Sequence, residues 1–258
     1  MAKKRYGLYS RRRTIFHGLH PLSKLLCAFM ILVSPLFLSD ISGSLSYLAL
    51  CLVLVALGRA WSSLRALLPI ISMMAFVTIV VWPLFWRGGE DVFGLWGISI
   101  TDEGLLRGLS MASRLISLIL VGIVFLTVTR VEEFMAALRL LGLPFVFTFT
   151  LMLSFRLAPT FIATVGTIRD AQKARGHTID QGNPLRKAIK HVPLIIPVIL
   201  HAIRGTDVLS MALESRGFGK KVNRTSIIQL THTWRDPIAY SMSVMILSAA
   251  IFWRYALL

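Results

Sequence analysis

The stretch "RDAQKARGHTID", residues 169–180, is a charged break in an otherwise apolar chain, and it has an echo in "SMALESRGFGKK", residues 210–221. Where these two stretches lie relative to a membrane decides the topology, and so the fold. Aligned on the arginine, Ala171 matches Ala212, Ala174 matches Ser215, Arg175 matches Arg216 and Gly176 matches Gly217. Ala and Arg at i and i+4 share one helical face. A small residue before the arginine allows close approach, and the glycine stops the helix in a left-handed turn. The expected product is a helix end with a bare backbone and a projecting guanidinium, whose fork suits a carboxylate on a partner. Arginine in a last turn followed by glycine is also ordinary helix-ending chemistry. Repetition at one offset, in the one polar part of the chain, favours a helix-in-groove contact with a cytoplasmic partner.

The rest of the chain reads as membrane protein. It has 258 residues, 55% of them hydrophobic, and a mean hydropathy of +0.72. A soluble domain of this length has no core large enough for so much apolar surface. Lys and Arg total 28 against 12 Asp and Glu, a net charge of +16. The basic residues sit between apolar runs, as they do on the cytoplasmic side of membrane proteins, so the bilayer rather than nucleic acid is the expected polyanionic partner. Cys27 and Cys51 lie in apolar runs without metal or disulfide spacing and read as buried small hydrophobes. The basic start "MAKKRYGLYSRRR" shows no small-residue cleavage pattern after it and is expected to be retained.

A helix needs about 20 residues to cross a bilayer. Residues 22–39 and 43–58 are short candidates, with Lys24 placed to snorkel at one end; 66–86 and 108–128 are comfortable, and 237–256 reads as a last span. Pro35, Pro69 and Pro83 fall in or near these spans, which membrane helices tolerate. Arg114 is the one charge well inside a span and is expected to snorkel. Trp253 and Tyr255 suit an interface. The loops give the orientation. Residues 1–24 carry seven basic residues and no acid, and the 59–65 loop carries Arg59 and Arg65. The alternate loops carry Asp40 and the acid-rich "RGGEDVFGLWGISITDEG". The N-terminus is therefore predicted to be cytoplasmic, and four crossings return the chain inside at Arg130.

Residues 129–236 change character. Thr129 with Glu132 reads as a capping box, Glu133 is also favourable near a helix N-terminus, and Val131, Phe134, Met135, Leu138 and Leu141 make one apolar stripe. Gly142 and Pro144 end that helix. The runs 145–155 and 192–203 are each too short to cross alone. Extending the first to residue 168 would put Arg156 at mid-membrane, at a cost of about 2.5–3.5 kcal/mol. Crossing twice would also place the basic segment 169–190 outside, against the positive-inside rule. The expected architecture is all-α: a basic cytoplasmic N-terminus (1–21), a four-span membrane domain (22–128), a cytoplasmic or interfacial helical module (129–236) and a C-terminal transmembrane helix (237–258), about five spans in all.

With these motifs in place, the sequence resembles the transmembrane T component of energy-coupling factor transporters, the uptake family that includes cobalt-transport permeases. "FHGLHPLSKLL" is similar to the family's N-terminal His-x-Leu-Asp-Pro-x-x-Lys signature. "TRVEEFMAALRLLGLP", "LMLSFRLAPTF", "DAQKARG", "IIPVILHAIRGTDVLSMALESRGFG" and Arg224-Thr225 follow in the family's order. The resemblance implies that Ala174, Arg175 and Gly176 form one coupling motif and Ser215, Arg216 and Gly217 the second, with Ala171 and Ala212 on the supporting face. It implies further that each motif ends a helix that docks in a groove of one of two ABC ATPase subunits, the same or different, and that a membrane S component binds the vitamin or transition-metal cargo, in a prokaryotic cell (inner) membrane. ATP and Mg belong to the ATPases, and no cofactor is expected here. Two departures stand out: Ser215 where the family has Ala, and His20 where it usually has Asp.

Other functions are weaker. His17 and His20 sit three apart, yet two imidazoles on one turn make no metal site without further ligands. His177, His191, His201 and His232 are scattered. No Gly-x-x-x-x-Gly-Lys-Ser/Thr stretch cradles a phosphate. No zinc-binding His-Glu-x-x-His, nucleophile elbow or intramembrane carboxylate pair points to an enzyme, so no catalytic residue is assigned. "DAQKARG" partly matches the Glu-Ala-Ala-x-x-x-Gly loop of conventional ABC importer permeases. That alternative expects one such loop and a polar path through the membrane.

Overall fold

The computed structural model describes residues 18–38, 40–85, 91–95, 98–176, 184–220 and 234–256. Among the described residues there are eight α-helices: α1 (Pro21–Val33), α2 (Ile41–Leu57), α3 (Trp61–Phe85), α4 (Asp102–Val128), α5 (Val131–Leu140), α6 (Phe145–Ala174), α7 (Pro184–Ser215) and α8 (Arg235–Ala256). A 3-10 turn, Ser34–Phe37, extends α1 where Pro35 ends its regular hydrogen bonding. Between α3 and α4 the acid-rich loop holds a small antiparallel hairpin, β1 (Asp91–Leu95) with β2 (Ile98–Thr101), in which Leu95 pairs with Ile98. The chain divides into two compact units, Met1–Thr148 with Leu230–Leu258, and Phe149–Gln229.

Helices α3, α4, α6, α8 and residues 193–215 of α7 are long and apolar enough to cross a membrane, while α1 and α2 are shorter apolar helices. This is a multi-pass membrane protein. The pattern differs from the sequence reading at two places. Residues 145–155 and 192–203, too short alone, are the apolar parts of continuous helices of 30 and 32 residues. The helices run on because Pro159, Pro193 and Pro197 are accommodated inside them, each removing one backbone donor without breaking the helix. Large apolar side chains such as Met73, Phe76 and Phe85 on α3 face outward, as lipid-facing residues do.

The first unit is held by small residues and hydroxyls. Ser44 on α2 bonds Ser110 on α4 at 3.2 Å, and Ser113 reaches Ser44 at 3.4 Å. Thr127 on α4 bonds Ser63 on α3 at 3.2 Å. Small residues let backbones approach, and hydroxyls bond across the seam. A Cβ on Gly104 would sit 3.1 Å from the Pro83 Cα. Beneath this seam Tyr47, Cys51, Val55, Leu64 and Leu120 form the apolar core. Both cysteines are free and buried.

Three charged or capping residues behave differently from their sequence reading. Lys24 does not snorkel: its side chain is 4% exposed and its Nζ lies 2.7 Å from Glu133 Oε2. A buried ammonium without a counter-charge is costly, and α5 brings the carboxylate to it. Arg114 donates to the Leu38 carbonyl at the turn between α1 and α2, so a free backbone acceptor holds it inside. The capping box is absent. Arg130, not Thr129, is the N-cap of α5 and has no side-chain cap bond; the Thr129 hydroxyl is buried without a partner among the described residues. Glu132 and Glu133 still sit in the first turn. Of the predicted stripe, Met135 is buried and Phe134 and Leu138 are half-buried, but Val131 and Leu141 are exposed.

Candidate functional site

The two Arg-Gly elements end helices in the same way. Ala174 is the last residue of α6 and Ser215 the last of α7. Gly176 and Gly217 then take the left-handed backbone, with φ of +87° and +73°. In α7 the Gly217 N–H donates to the Glu214 carbonyl at 2.9 Å, and the Phe218 N–H to the Leu213 carbonyl at 2.9 Å. That pair of bonds is a Schellman ending. In α6 the Gly176 N–H donates to the Lys173 carbonyl at 3.0 Å, the equivalent bond. The predicted glycine stop is therefore present in both copies. A Cβ on Gly176 would meet nothing within 4 Å. Glycine is needed here for its backbone conformation rather than for space.

Ala171, Ala174, Arg175, Ala212, Ser215 and Arg216 are all exposed, as is Gly176, while Gly217 is half-buried. Both guanidiniums stand on faces kept low by the small residue before them and the alanine one turn earlier. Ser215 does not add a donor to that face, because its hydroxyl donates to the Ala212 carbonyl of its own helix at 2.9 Å. To a partner the second motif presents nearly the shape of the first.

Phe218 is a contributor that sequence reasoning missed. Its ring lies 4.6 Å from that of Phe149, tilted by 39°. The signal was present: an apolar residue just past a C′ glycine commonly packs back in this motif. The contact places the second Arg-Gly end beside the start of α6, whereas the first lies at the far end of the same helix. At 1.5 Å per residue, roughly 40 Å of helix separates Phe149 from Arg175. The sequence elements are brought together in conformation but kept apart in space.

His20 has a structural place. It is the N-cap of α1, and its Nδ1 accepts the Leu22 N–H at 3.3 Å. Its own backbone N–H donates to Asp236 Oδ1 at 2.7 Å. A carboxylate thus still sits at the start of α1, supplied by α8 rather than by the residue before Pro21. His17, His177 and His232 lie outside the described residues. Among the described residues no three His, Cys, Asp or Glu side chains converge in a way that could hold a metal ion.

Comparison with known proteins gives the family. The family model described as "Cobalt transport protein" matches residues 12–227. The energy-coupling factor transporter transmembrane protein EcfT of Thermosediminibacter oceani is 31% identical, over 96% of this chain and 97% of its own length. That of Lactococcus lactis is 30% identical, with 96% of each chain covered. That of Staphylococcus aureus is 28% identical, with 93% of each covered. Nearly the whole chain takes part in each alignment, both Arg-Gly helix ends fall within the family match, and the chain belongs to the cobalt transport protein family as a transmembrane (T) component of energy-coupling factor transporters.

Proposed function

We propose that this chain couples ATP hydrolysis by two ABC ATPase subunits to uptake of a vitamin or transition-metal ion bound by a separate membrane S component. The observation that carries this reading is the repeated helix end, Ala174-Arg175-Gly176 and Ser215-Arg216-Gly217, held in one conformation at opposite ends of α6. Two like-shaped handles so far apart suit two separate grooves better than one continuous surface. In each, the guanidinium enters the groove and pairs with a carboxylate. The small residues let the groove wall approach, and the glycine turns the chain away. Arg175 and Arg216 anchor; they do no chemistry. ATP and Mg stay with the ATPases.

The same reading places residues 129–236 in a cytoplasmic coupling module and residues 22–128 and 237–258 in the membrane of a prokaryotic cell, with the N-terminus inside. Helices α6 and α7 have the length to cross. Crossing would bury Arg156 and export the cationic segment 169–190, so lying along the cytoplasmic interface is the cheaper arrangement. When ATP draws the ATPases together, their grooves carry the two helix ends with them. The long helices transmit that movement to the S component.

The test is complex formation and uptake by the double variant Arg175→Ala/Arg216→Ala. The expected result is loss of the copurifying ATPases and of ATP-driven uptake, with the membrane domain still folded. A double variant that kept the full complex and full uptake would remove the anchoring role.

A further inference from the structure

The first unit contains a cavity of about 500 Å³ between α1, α4 and α8. Ala28 and Ile31, Val124 and Phe125, and Ala239 and Met242 are among the residues of its wall, which is almost wholly hydrocarbon. Its size falls in the range of ordinary ligand sites. Ile238 and Met242, both lining residues, are about half exposed, so the cavity opens beside α8 on the apolar flank of the unit.

Three polar groups of the lining gather where α1 and α8 begin and α4 ends. They are Lys24, Thr129 and Arg235; the other two polar side chains of the lining, Cys27 and Ser243, lie deeper and are 3.5 Å apart, Ser243 also donating to the Tyr240 carbonyl. The Lys24 charge is met by Glu133. Thr129 and Arg235 are unmet among the described residues. The Thr129 hydroxyl is buried with no hydrogen-bond partner, and Arg235 is exposed and makes no ion pair. An apolar slot with a free cation and an unused hydroxyl at one end has the polarity of an amphiphile. A water-borne solute would meet hydrocarbon along the whole slot. A bilayer lipid needs only to move one chain sideways. A phosphate can take two parallel bonds from a guanidinium and a third from a hydroxyl. On the orientation argued from loop charges, this end lies in the cytoplasmic leaflet, where anionic lipids are concentrated.

We infer that this cavity holds one acyl chain of an anionic phospholipid, with the lipid phosphate bound by Arg235 and the Thr129 hydroxyl. The lipid fills the gap between α8 and α1, so the closing of the last helix on the first depends on the leaflet's composition. A membrane partner helix is the competing occupant. It is disfavoured because it would leave Thr129 and Arg235 facing hydrocarbon.

The test uses the full chain, stripped of lipid in neutral detergent and titrated with phosphatidylglycerol or phosphatidylcholine under native mass spectrometry. One phosphatidylglycerol is expected to bind in preference to phosphatidylcholine. Arg235→Gln, at an exposed position that does not threaten folding, should weaken that binding by about tenfold or more, the usual effect of losing a hydrogen bond to a charged group. Ala239→Phe should fill the slot and weaken both lipids, while the melting temperature of each variant reports that it is folded. Equal binding of the two lipids, unchanged binding by Arg235→Gln, or a photo-crosslinker at Met242 that captures a protein rather than lipid in cells would each overturn the inference.

Discussion

Lys24 and Glu133 form a 2.7 Å ion pair between α1 and α5, with the lysine side chain 4% exposed and the glutamate side chain 25% exposed. The pair ties the first apolar helix to the short helix that precedes α6. The exposures are unequal, so the two ways of breaking it are unequal too. Glu133→Gln removes the carboxylate that lies 2.7 Å from a buried ammonium, and should cost up to about 3 kcal/mol. Lys24→Met leaves a carboxylate that water can still reach, and should cost less. Lys24→Met/Glu133→Gln should recover part of the loss. Melting temperatures in detergent would check the order; equal losses would contradict it.

Gly176 and Gly217 share the left-handed backbone. A β-branched residue there is strained by about 1–3 kcal/mol, while asparagine is tolerated. Gly176→Val and Gly217→Val should each weaken copurification of ATPase subunits, and Gly176→Asn and Gly217→Asn should largely keep it. If valine and asparagine behaved alike, the helix ending would not matter to docking.

Ser215 differs from its counterpart Ala174 by one hydroxyl, which bonds its own helix at Ala212. Ser215→Ala should therefore leave complex formation and uptake unchanged within error. Ser215→Leu raises the low face and should weaken both. A Ser215→Ala variant that distinguished between ATPase subunits would mean that the hydroxyl turns outward in the complex.

Gly104 lies where α4 begins against Pro83 of α3. An added Cβ would come 2.9 Å from Thr101 Oγ1, the atom that caps α4, and 3.1 Å from the Pro83 Cα. Because proline backbone cannot give way easily, Gly104→Ala should destabilise by about 1–3 kcal/mol. Gly122, which has nothing within 4 Å of its would-be Cβ, should accept alanine with little change or a small gain. Thermal unfolding of the two variants compares them directly.

Much of this was legible in the residues. Helical periodicity and apolar length located α3, α4 and α8 closely, since those features act within single helices. Gly142, Gly176 and Gly217 marked helix ends because a left-handed residue is a local requirement. What failed depended on other parts of the chain. Lys24 reads as a snorkelling residue until α5 brings Glu133 to it. Arg114 stays inside because the turn after α1 leaves the Leu38 carbonyl open. Thr129 matches a capping motif, yet the helix starts at Val131 and leaves its hydroxyl unused. The 30-residue continuity of α6 was hidden by Arg156, whose cost at mid-membrane argued against lengthening the apolar run, yet the helix continues through it and through Pro159. Phe218 could be guessed as a helix-end contact, but not that its partner is Phe149.

The central claim is that each Arg-Gly helix end occupies its own ATPase subunit. Ala171→Cys and Ala212→Cys put a thiol on the supporting face of each motif, and Cys27 and Cys51 are buried away from reagent. A short bifunctional thiol cross-linker, applied to the assembled complex, reads which subunit each cysteine meets. The account predicts that either variant alone cross-links one ATPase subunit, and that the double variant captures two on a single chain. Capture of one ATPase subunit by both cysteines, or of none by either, would contradict it.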